Sequence, residues 1–136
     1  MVNNKWITGV AFAGLLMASV AARADAPRAF FIAPQDGAKV TSPVHLVFGV
    51  EGMTIVPAGT VKEGTGHHHL IIDGGPVAKG EVIPADDTHI HYGKGQTEAD
   101  LKLSPGEHTL TLQFADGLHR SYGPPMSQTI TVHVKP

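Results

Sequence analysis

His108-Thr109-Leu110-Thr111-Leu112-Gln113-Phe114 carries an apolar side chain at every second position from Leu110 onward. Strand side chains alternate between faces, so this period of two predicts a strand with Leu110, Leu112 and Phe114 on a buried face. The same alternation recurs in Val44, Leu46, Phe48 and Val50, and in Ile130, Val132 and Val134. Candidate strands are 29–32, 44–50, 54–56, 67–72, 88–92, 99–103, 108–114 and 128–134. Turn signals separate them, among them Pro34 to Gly37, Asp73-Gly74-Gly75-Pro76, Gly93-Lys94-Gly95, Ser104-Pro105-Gly106 and Gly123-Pro124-Pro125. No stretch combines the length and the period of a helix. Short strands at this spacing predict an all-β fold, an immunoglobulin-like Greek-key β-sandwich of about seven strands.

The chain of 136 residues is too short for a second domain. Its start has the three parts of an export signal: polar Met1 to Lys5, an apolar run from Trp6 to Val20, then Ala21-Ala22-Arg23-Ala24. We expect residues 1–24 to be a cleaved signal peptide and 25–136 a single β-sandwich domain. Cutting after Ala26 would leave Pro27 first, so Ala24 is preferred. The expected location is the periplasm. No other segment approaches the roughly 18 continuous apolar residues of a membrane span.

Of the ten lysines and arginines, Lys5 and Arg23 fall in the leader, leaving eight against twelve acidic residues and a net charge of −4. That balance argues against a nucleic-acid partner. The chain has no cysteine, which excludes a thiol nucleophile, disulfides, thiolate zinc sites and a blue-copper centre.

All nine histidines follow the leader. Two His-x-His pairs stand out: His67-His68-His69 and His89-Ile90-His91. On strands, His67 and His69 project from one face, as do His89 and His91. Residues i and i+2 lie about 6.5 Å apart, within reach of one metal ion. If the strands are neighbours, His67, His69, His89 and His91 form one metal site. Neutral imidazole suits copper or zinc, whereas calcium and magnesium prefer oxygen. A ligand histidine must be neutral, and with an unperturbed pKa of about 6.5 binding is expected to weaken on acidification.

Three further residues are possible additions. His68 is in phase with Leu70 and Ile72 and reads as a hydrogen-bonded residue at the core edge. His119 and Met126 flank a Pro-rich turn, where the thioether would favour Cu(I). Asp73, Asp86, Asp87 and Glu98 bracket the histidine strands, where carboxylates could orient imidazole N–H groups. His45 and His133 fall on solvated faces, and His108 follows a turn as a capping or half-buried residue. Gly93-Lys94-Gly95-Gln96-Thr97 lacks the spacing of a phosphate loop, and neither Ser104 nor Ser121 sits in a G-x-S-x-G elbow.

The segments Gly66-His67-His68-His69-Leu70-Ile71-Ile72-Asp73, Thr88-His89-Ile90-His91-Tyr92-Gly93-Lys94-Gly95-Gln96-Thr97-Glu98 and Ser104-Pro105-Gly106-Glu107-His108-Thr109-Leu110 together resemble a family of exported bacterial domains of unknown function. That resemblance implies location and fold more than activity. Thr88-His89-Ile90-His91-Tyr92-Gly93 also resembles the His-x-His strand of copper-zinc superoxide dismutase. The chain departs from that enzyme in lacking a cysteine pair and a bridging-histidine loop at matching spacing, with Arg120 only a loose counterpart of its active-site arginine.

Together these features lead us to expect a periplasmic protein that binds copper first and zinc second, and acts in metal sequestration, delivery or sensing. Its partners would be the metal ion and another periplasmic metal-handling protein. The rival readings are a copper oxidoreductase of dismutase type and a metal-free interaction module.

Overall fold

The computed structural model describes residues 19–136. The leader assigned to residues 1–24 therefore lies outside the described residues, apart from residues 19–24. Nine strands follow: β1 (Arg28–Ala33), β2 (Ala38–Val40), β3 (Val44–Glu51), β4 (Thr54–Ile55), β5 (Thr65–Ile72), β6 (His89–His91), β7 (Glu98–Leu101), β8 (Gly106–Ala115) and β9 (Ser127–Val134). A single 3-10 turn, Pro124–Met126, is the one helical element among the described residues.

The strands form a β-sandwich. One sheet has the order β1-β3-β7, and the other runs β2-β9-β8-β5-β4, with β6 also paired to β5. Phe31, Leu46, Phe48 and Leu101 from the first sheet meet Leu70, Leu110, Leu112, Phe114, Ile130 and Val132 from the second in one apolar cluster. The alternation therefore identifies the inner faces: Leu110, Leu112 and Phe114 are all wholly buried.

Strand β2 is an addition to the expected set. It pairs parallel to β9, Ala38 opposite Val132. A strand of three residues is too short for a visible period, so only pairing defines it.

The outer face of the larger sheet differs from the half-solvated face that alternation predicts. Thr111 and Gln113, out of phase with the core, are also wholly buried. Two irregular segments cover them. Residues 73–88 and 116–123 lie across this face and pair with each other, Ser121 N donating to Glu81 O (2.8 Å) and Ile83 N to His119 O (2.9 Å). Thr111 Oγ1 donates to Gly74 O (2.9 Å). Gln113 ties both segments down: its Oε1 accepts from Val77 N (3.1 Å) and its Nε2 donates to Gly123 O (2.9 Å). A buried amide must find such partners or cost free energy, so the glutamine specifies where the cover sits.

Other polar positions follow expectation. His45 is exposed beside Asp100, 2.8 Å away, and His133 is exposed 3.6 Å from the Glu107 carboxylate. His108 is half-buried after its turn, with Nδ1 2.8 Å from Asp73 Oδ2 and Nε2 2.9 Å from Ser104 O.

Candidate metal centre

Strand β5 lies between β8 on one side and β4 and β6 on the other. Alternation sends His68, Leu70 and Ile72 into the sandwich and His67, His69 and Ile71 to the covered outer face. His67 and His69 are therefore buried without belonging to the apolar core, at 0% and 1% exposure.

Strand β6 runs antiparallel to β5 with His91 opposite His69 and His89 opposite Ile71. His89, opposite Ile71, is one same-face step further from His67 than His91 is, so it is His91 that meets the β5 histidines. His89 turns instead to Asp86, its Nδ1 2.8 Å from Oδ1. The fourth imidazole comes from the loop after β8. Ala115 is opposite His67, so the chain leaving β8 passes directly beside that residue. Asp116 folds it into a tight turn: Oδ1 accepts from Leu118 N (2.9 Å) and Arg120 N (3.0 Å), and Oδ2 from Arg120 Nε (2.8 Å). His119 occupies the left-handed region within this turn, at φ 64°.

The result is a group of four: His67, His69, His91 and His119, with one ligand atom from each lying within 4.8 Å of all the others. His67 Nε2 is at the centre. It is 3.0 Å from His69 Nε2, 3.0 Å from His91 Nε2 and 3.2 Å from His119 Nδ1. One ring nitrogen carries at most one proton, so it cannot make a hydrogen bond with three neighbours that each need one. Nitrogens bound tetrahedrally to an ion at 2.0–2.1 Å would be about 3.3–3.4 Å apart. The three spacings at His67 Nε2 lie just below that and every pair is within 4.8 Å, so small ring rotations would set the four nitrogens around one transition-metal ion.

The electrostatics point the same way. Burial, followed by the neighbouring His91 and His119, pushes the His67 pKa down to about 4. Burial and the surrounding imidazoles take His69 down to about 3. Burial and His119 also lower His91. These three rings are neutral at pH 7 and offer lone pairs, as a metal requires. Nδ1 of His67 and of His69 are buried without a hydrogen-bond partner. Asp73 and Asp86 do not orient these rings: Asp73 serves His108 and Asp86 serves His89.

The remaining sequence candidates lie elsewhere. His68 is in the core rather than at its hydrogen-bonded edge, its ring between Phe48 and Phe114 at centroid distances of 5.4 and 5.1 Å. Neither of its nitrogens has a partner. Met126 is 5% exposed and belongs to the apolar cluster, so the group is made of nitrogen alone. Arg120 is bound to Asp116. The sequence offered His119 only as a flank of the Pro-rich turn, since its place depends on β8 being the partner of β5. That pairing was the missing signal.

An all-β sandwich whose covered outer face gathers four imidazoles able to hold a metal ion is the class this architecture defines. Residues 46–135 match the family described as Domain of unknown function (DUF4399), and the chain belongs to it. The matched region holds all four histidines, in keeping with the resemblance to such a family carried by the histidine segments. No protein of curated function matches the chain, and no solved structure does.

Proposed function

We propose that this protein is an exported binder of a divalent transition metal, copper first and zinc second, that holds the ion through His67, His69, His91 and His119. One observation carries the reading: three imidazole nitrogens gather within 3.0–3.2 Å of His67 Nε2, which no arrangement of their protons can satisfy. Burying such a cluster without an ion costs free energy, and an ion removes that cost. The all-nitrogen set favours Cu(II) over Zn(II) on the ordinary order of affinities, and the absence of sulfur argues against a Cu(I) preference. The signal-like leader supports periplasmic metal handling, by sequestration, delivery or sensing.

Elemental analysis of the untagged protein isolated from the periplasm, followed by Cu(II) and Zn(II) titration, tests this. We expect about one ion per chain. Replacing His67 and His69 together by alanine should abolish tight binding, whereas His89→Ala and the surface pair His45→Ala/His133→Ala should bind like wild type. Tight binding that survives loss of His67 and His69, or fails with His89→Ala, would overturn the site.

A further inference from the structure

Gly93 lies just beyond β6, and its chain position is fixed from both sides. Ala58 N donates to Gly93 O (2.8 Å), Tyr92 N to His68 O (3.1 Å), and Gly95 N to Tyr92 O (3.2 Å). Extending the β5–β6 register by two residues puts Gly93 opposite His67. A β-carbon at this glycine would lie 2.5 Å from Nε2 of His91 and closer still to its Cε1. The His91 ring therefore leans along β6 into the volume that any other residue at 93 would fill. That lean brings its Nε2 to 3.0 Å from His67 Nε2, although His91 is opposite His69 rather than His67.

Gly93 does not have a positive φ, unlike Gly95 two residues later at φ 80°. Its backbone does not demand glycine. The demand comes from the imidazole, and with the backbone pinned by three hydrogen bonds it is the ring that must move when a side chain is added.

We propose that Gly93 is a positioning residue of the metal site, seating the His91 ring and thereby setting the affinity of the four-histidine group for a divalent ion. This rests on the metal-binding reading above. Residues that orient a ligand are typically worth about 10- to 100-fold in metal affinity.

The test uses the full untagged protein with Cu(II), measuring affinity by competition with a chelator and the number of coordinated nitrogens by electron paramagnetic resonance. Four proteins are compared: wild type, Gly93→Ala, His91→Ala, and the double variant. Gly93→Ala should bind Cu(II) about 10- to 100-fold more weakly and lose one nitrogen from its spectrum, as His91→Ala does. In the double variant the ring is absent, so Gly93→Ala should add no further loss and should not lower the unfolding midpoint of the metal-free protein relative to His91→Ala alone. Wild-type affinity and spectrum in Gly93→Ala would overturn the role of Gly93 while leaving the metal site standing. Losses that add in the double variant, or equal destabilisation by Gly93→Ala with and without His91, would place its effect in the backbone and also overturn it. Failure of the wild type to bind Cu(II) removes the metal-binding reading, and this proposal with it.

Discussion

His68 and His69 are neighbours in one strand and both are buried, yet they make opposite demands. His69 has three imidazoles around it, whereas His68 has only hydrocarbon and two nitrogens without partners. Burial, with a smaller contribution from His67, takes the His68 pKa down to about 4. For a histidine that is neutral when folded and titrates near 6.5 when unfolded, folding stability carries no proton-linked loss above pH 6.5. Stability is lost as pH falls toward 4, because only the unfolded chain takes up the proton in that window. For His68 the loss approaches about 3 kcal/mol. We expect His68→Leu to raise stability at pH 7 by about 1–3 kcal/mol, the cost of an unsatisfied buried polar group. It should also flatten the acid limb. Urea unfolding of both proteins at pH 7 and pH 5 measures both effects. The same lowered values revise the acid sensitivity of the site: proton competition at His67 and His69 sets in near pH 4 and 3 rather than near 6.5. Cu(II) binding measured from pH 7 to 4 should therefore release no protons from these two rings until the acid end.

At the level of elements, alternation was enough to find β3, β5, β8 and β9 and to identify their core faces, because the inter-sheet core rewards every second residue. It was blind to the second face of β8. Thr111 and Gln113 look like solvated positions in the sequence, and only a cover contributed from distant segments makes them buried. Leu112→Ala should cost about 2–5 kcal/mol, as expected for a core leucine. Thr111→Val and Gln113→Leu should not be silent either. Gln113→Leu leaves the buried Gly123 and Met126 carbonyls unpaired, at about 1–3 kcal/mol per group, and Thr111→Val leaves the half-buried Gly74 carbonyl, at the low end of that range. Denaturant unfolding decides this, and a change below about 0.5 kcal/mol in either variant would show that the cover is not held through β8. Register explains the rest of what was legible. His67, His69 and His91 are readable from the His-x-His spacing, but the choice of His91 over His89 depends on which residue is opposite His69, and hairpin-free pairing across residues 73–88 leaves no sequence mark of that.

For the molecule as a whole, the order β2-β9-β8-β5 with β4 and β6 on the far edge puts the histidine group on the outer face, away from the core between the sheets. Metal loading and core integrity are thus separable. A metal that binds only the folded chain should raise its stability by about 2.7 kcal/mol when the free ion is at one hundred times its dissociation constant. Calorimetry with and without Cu(II) should show that increase in wild type and not in His67→Ala/His69→Ala, while the variant without metal still unfolds cooperatively.

The four rings are not equally sheltered. His67 and His69 belong to an interior strand and are sealed from solvent, whereas His91 is exposed and His119 partly so. An incoming nucleophile can therefore approach a bound ion only past the edge-strand and loop ligands. Exchange would be sequential and one-sided. If an ion is held there, the donors of an acceptor would displace His91 and His119 first, and the buried β5 pair would be the last to let go.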